Sequence, residues 1–147
     1  MRASLMAACA AMLVLAPPAS AAPDGVALRV KIARVVVLPS GEADVMVPVK
    51  LTLANKSDEA VTLQTSNRCQ IHVWKVVDSE GIVLMNHDIC PMIYQPQTDT
   101  LAAGERQAED EGVSLQAAKF REGETYTLHY RFWNVFAEAK FTVRTAP

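Results

Sequence analysis

The sequence lacks the local signatures that announce a familiar enzyme. It has no Gly-x-Ser-x-Gly elbow, no His-Glu-x-x-His pair, no phosphate-binding loop and no Gly-x-Gly-x-x-Gly turn. Its six glycines stand singly at turns, and its three histidines, His72, His87 and His129, fall on different segments. Nothing local prepares a nucleophile, so we assign no catalytic residue and expect no enzyme. A basic excess is also missing. With 14 basic and 16 acidic side chains the net charge is -2, which argues against nucleic acid as a partner. No apolar run reaches the ~20 residues that a membrane-spanning helix needs. A chain of 147 residues leaves little room for a second domain.

The longest apolar run, Leu5 to Leu15, follows Arg2 and ends at Pro17-Pro18 and the small-x-small sequence Ala19-Ser20-Ala21. Residues 1–21 read as an export signal, leaving residues 22–147 as the mature domain in a periplasmic or secreted location. Cysteine is scarce. Cys9 lies inside the signal, and the remaining pair, Cys69 and Cys90, reads as one disulfide in an oxidising compartment.

The body alternates apolar and polar residues with period two. Val26, Leu28, Val30 and Ile32 form one series; Val45, Val47, Val49, Leu51 and Leu53 another; Tyr126, Leu128, Tyr130 and Phe132 a third; Phe141 and Val143 a fourth. Such runs, bounded by turn residues, predict an all-β antiparallel sandwich of about seven to nine strands. Glu105 to Lys119 is ambiguous between a short helix and an irregular edge strand. Asp78-Ser79-Glu80-Gly81 predicts a hairpin. A two-residue loop would pair Val77 with Ile82 and, continued, His72 with His87 and Cys69 with Cys90. A three-residue loop with Gly81 in the left-handed region shifts the register by one, placing the cysteines on opposite faces unless a bulge restores them.

Five segments, taken in order, resemble a known family. They are Leu51-Thr-Leu-Ala-Asn55-Lys-Ser57, Ala60-Val-Thr-Leu-Gln64, Val73-Trp-Lys-Val-Val-Asp78-Ser-Glu-Gly81, Leu101-Ala-Ala-Gly104-Glu105 and Glu122-Gly-Glu-Thr-Tyr126-Thr-Leu128. This order is similar to the BsuPI family of intracellular proteinase inhibitors over residues 47–143. The resemblance implies an immunoglobulin-like sandwich and a protease as partner. The export signal and the cysteine pair depart from the family pattern.

Four sets of residues carry the functional expectations. Tyr126, at the start of a late strand, is expected to lie across a sandwich corner with its hydroxyl on nearby backbone. Trp133, Val135 and Phe136 fall where a hairpin connection is needed and are candidate anchors for a protein partner, unless the strands run on and these rings cover the sandwich end. His72, Met85, His87 and Met92 form an alternative, copper-like ligand set; the simpler reading puts Met85 in a core gap and Cys90 in the disulfide. Asn55-Lys56-Ser57 matches both a glycan acceptor and an ordinary turn, and we read the turn. The leading expectation is an exported, disulfide-clipped domain that binds a protein, a protease as the resemblance implies, and needs no cofactor. A metal-binding envelope protein and an accessory domain of an envelope complex are the alternatives.

Overall fold

A computed structural model describes residues 22–88, 90 and 94–146. The export segment and Met92 lie outside the described residues. The described residues form ten strands: β1 (Val26–Ile32), β2 (Val35–Leu38), β3 (Asp44–Asn55), β4 (Val61–Thr65), β5 (His72–Val77), β6 (Val83–His87), β7 (Gln97–Leu101), β8 (Arg106–Gln116), β9 (Thr125–Phe132) and β10 (Val135–Thr145). Two single 3-10 turns, Arg68–Gln70 and Ala117–Lys119, precede β5 and follow β8. The strands form a three-stranded sheet β1-β3-β8, a five-stranded sheet β2-β10-β9-β5-β6 and a two-stranded ribbon β4-β7.

The alternating residues meet between the sheets. Val47, Val49, Leu51, Leu53, Val113 and Leu115 from the first sheet pack with Val76, Tyr126, Leu128, Phe132, Phe141 and Val143 from the second in one buried cluster, which Leu63 and Leu101 of the ribbon join. The expected sandwich is therefore the observed one, with three differences of detail. The strand count is ten, because the short β2, β4 and β7 are too brief to show as period-two runs. One pairing is parallel: β2 lies beside the C-terminal half of β10, Val36 opposite Val143. Glu105–Lys119 is neither helical nor irregular over most of its length, since β8 pairs with β3 without interruption from Asp44/Gln116 to Ala54/Arg106. A helix loses there because alternation brings Val113 and Leu115 into the core.

The β5–β6 hairpin takes the three-residue loop. Gly81 has φ +82°, and Asp78 Oδ1 accepts hydrogen bonds from the N–H groups of Glu80 and Ile82 at 2.9 and 2.8 Å. Val77 consequently pairs with Val83, not Ile82, and a bulge between Val76 and Val77 shifts the register once more, so that Trp74 lies opposite His87. The two shifts together restore the face of each side chain. Cys69 sits in the 3-10 turn before β5 and Cys90 just beyond β6; they are bridged, with Cα atoms 5.6 Å apart. The link closes a loop spanning 21 positions, which contributes about 3 kcal/mol in the chain-entropy model. Chemical denaturation with and without reductant should show a loss of about that size; an unchanged midpoint would mean the ordered hairpin holds without the bond.

Candidate functional site

Tyr126 behaves as a corner tyrosine. Its side chain is buried, its ring packs edge-on against Phe120 with centroids 4.9 Å apart, and its hydroxyl accepts a hydrogen bond from the Arg121 N–H at 2.8 Å. Burial, more than neighbouring charge, raises its pKa, so the hydroxyl remains a neutral bonding group. Asn55 is also structural. Its amide nitrogen lies 2.7 Å from Glu59 O, 3.1 Å from Leu101 O and 3.0 Å from Ala102 O, while Oδ1 accepts from the Ser57 N–H and hydroxyl at 3.0 and 2.7 Å. An amide buried to this extent and engaged on both atoms fits the turn reading and offers no free nitrogen to a glycan.

The proposed anchors Trp133 and Val135 are corrected by the structure: both are buried, at 7% and 4% exposure. Strands β9 and β10 run on until only Trp133 and Asn134 separate them, with φ +48° and +63°. Two successive positive values make the tight turn whose twist matches a hairpin. The Trp133 N–H donates to Ile71 O at 3.1 Å and Asn134 Nδ2 to Gln64 O at 2.9 Å. The turn is thus folded onto the end of the sandwich and cannot be inserted into a cleft. Phe136 alone of the three is exposed, at 68%.

Phe136 points to the outer face of the five-stranded sheet. Across that face it lies beside Arg131, which lies beside Val73; one row along, Lys75 is paired with His129 and His129 with Glu138. Val73, Lys75, His129, Arg131 and Phe136, with Val83, Asn86 and Asp88, line a groove of about 360 Å³. His129 Nδ1 approaches Glu138 Oε1 at 2.9 Å. Arg131 Nε is buried and has no hydrogen-bond acceptor among the described residues, an uncommon state for a buried donor.

The three described members of the expected ligand set, His72, Met85 and His87, do not assemble. The shifted register places His87 opposite Trp74, on whose ring it stacks at 5.9 Å. Met85 Sδ instead accepts from the Gln116 N–H at 3.1 Å, and Cys90 has no free thiol. His72 turns toward the opposite sheet. Its ring stacks on Phe132 at 4.8 Å, its Nδ1 lies 3.2 Å from the Tyr130 hydroxyl, and its Nε2 lies 3.5 Å from Glu109 Oε2 and 3.8 Å from Glu111 Oε1. Burial, followed by the charges of Glu111 and Glu109, raises the Tyr130 pKa far above its ordinary range and keeps the hydroxyl protonated. The ambiguity of Glu105–Lys119 between helix and edge strand hides this cluster in the sequence. Gln107, Glu109, Glu111, Val113 and Leu115 occupy alternate positions, so a strand reading would have placed two carboxylates on the core-facing side.

No protein-family model matches the chain, and no curated protein matches it. Solved structures share only a loose likeness. A β-glucuronidase from glycoside hydrolase family 2 aligns with 80% of this chain and 11% of its own, at 13% identity and TM-score 0.47. A β-glucosidase from Listeria innocua aligns with 82% of this chain and 16% of its own, at 13% identity and TM-score 0.44. The structural-genomics target SoR45 aligns with 83% of this chain and 85% of its own, at 13% identity and TM-score 0.45. The chain thus spans about a tenth to a sixth of the two glycosidases.

Proposed function

We propose that this chain is an exported, non-catalytic domain that binds another polypeptide through the outer face of its five-stranded sheet. The observation that carries the reading is the row Val73–Arg131–Phe136: an exposed aromatic ring beside a guanidinium whose buried Nε lacks an acceptor among the described residues. A large exposed ring is the kind of group that anchors interfaces, and the cationic groups of Arg131 and Lys75 on the same face favour a partner carboxylate. The partner is therefore a segment carrying an apolar side chain next to an acidic one. The disulfide fits an oxidising compartment. The resemblance to BsuPI inhibitors favours a serine protease as that partner. Binding would then use the sheet face, since the Trp133–Asn134 turn is not available as an inhibitory loop.

The test is a panel of serine proteases titrated with wild type and with Phe136→Ser. Wild type should slow at least one enzyme at or below about 10 μM. The variant should lose about tenfold or more in affinity, with its thermal midpoint unchanged because the ring contributes little to the core. Equal inhibition by both proteins would remove the groove as the contact surface. A panel that remains fully active would remove the protease, leaving photo-cross-linking from position 136 in the native envelope to identify the partner.

A further inference from the structure

We propose that His72, Glu109 and Glu111 form a divalent transition-metal site that bridges the two sheets. The three residues offer ligand atoms within 4.8 Å of one another. A tetrahedral zinc ion with bonds near 2.0–2.1 Å separates its ligands by about 3.3–3.4 Å, and the Nε2 contacts to the two carboxylates are already 3.5 and 3.8 Å. Small rotations of half-exposed side chains would complete the shell, with water as a fourth ligand. An imidazole nitrogen with two carboxylate oxygens suits a borderline ion such as zinc better than calcium or magnesium, which prefer oxygen alone.

The ligands are held in place from behind. Tyr130 stands at Nδ1, where its hydroxyl oxygen can accept a hydrogen bond from the Nδ1–H once Nε2 is committed to a metal. Phe132 fixes the ring plane, and Gln107 Nε2 donates to Glu109 Oε1 at 3.0 Å, leaving Oε2 for the site. Charge points the same way. Among the described residues the ion pairs of Glu109 and Glu111 go to His72 alone, and one imidazole cannot cancel two carboxylates. Inward-pointing acids do protect edge strands such as β8 from pairing with other chains, but that role requires no oriented histidine on the facing sheet.

The probe is Zn²⁺ added to the purified, disulfide-intact protein, followed by calorimetry, by the imidazole resonances and by thermal melting. One equivalent should bind, shift the His72 signals and raise the melting midpoint as free zinc increases; magnesium should do none of the three. His72→Gln and Glu111→Gln should each weaken binding more than about a hundredfold, and Tyr130→Phe about tenfold, since orienting partners typically carry factors of 10–100. His129→Gln, at the other histidine–glutamate pair, should bind as wild type does. Glu111→Gln is close in shape to the native residue and remains informative even if His72→Gln folds poorly. Absence of binding at about 100 μM zinc, or binding that survives Glu111→Gln or is lost in His129→Gln, would overturn the assignment.

Discussion

Truncation of Trp133 to alanine should lower stability by about 3–4 kcal/mol, within the range for removing a large buried aromatic side chain. The indole is buried at the end of the sandwich, directly after Phe132, and its backbone N–H is tied to Ile71 O. Most of the loss comes from the cavity and from exposing the core behind it. The backbone adds a second, separable effect. Trp133 sits at φ +48°, where side-chain-bearing residues are strained. Glycine at the same position relieves that strain, so Trp133→Gly should be more stable than Trp133→Ala by about 1 kcal/mol despite removing more atoms. Urea titrations of the three proteins measure both differences. A loss under about 1 kcal/mol for the alanine variant would mean that the ring lies on the surface and contributes as an interface residue instead.

Replacing Asn55 with alanine should cost a similar amount, about 3 kcal/mol, for a different reason. No large volume is lost. Instead the carbonyls of Glu59, Leu101 and Ala102, together with the Ser57 N–H and hydroxyl, lose their common partner. Each buried group left unsatisfied costs about 1–3 kcal/mol, reduced where water can enter. Aspartate is the discriminating substitution. It preserves the acceptor toward Ser57 but turns an anionic oxygen toward three carbonyls, so Asn55→Asp should be at least as destabilising as alanine at neutral pH. If aspartate restored wild-type stability, the network would rest on the Ser57 contacts alone.

The sheets were largely legible in the sequence because burial on one face leaves a period of two. The runs containing Leu51, Leu128 and Phe141 carried that period unbroken, and the structure buries those residues. Tyr126 was legible because a tyrosine at a strand start has few ways to bury its ring and still bond its hydroxyl. The hairpin register was not, since loops of two and three residues suit Asp-Ser-Glu-Gly equally well and the bulge at Val76/Val77 leaves no compositional mark. Trp133 and Val135 were misplaced because tight turns of this kind normally carry glycine or asparagine, and a tryptophan with positive φ gives no warning. The His72 cluster was hidden by β8 itself, whose inward side is acidic along one half and apolar along the other. A polar inward face mimics a loop or a solvated helix when the opposing sheet is unknown.

The parallel contact between β2 and β10 has a consequence for how the chain acquires its shape. Thr142–Thr145, almost the last residues described, provide the neighbour for Val35–Leu38. Among the described residues Val35–Leu38 therefore has no neighbour in this sheet until residues 142–145 are in place. Pairings so distant along the sequence are slow to close, because loop entropy is lost before the contact is gained. Completion of the larger sheet thus waits for two segments about a hundred residues apart to meet, which makes the docking of β2 a late event in folding.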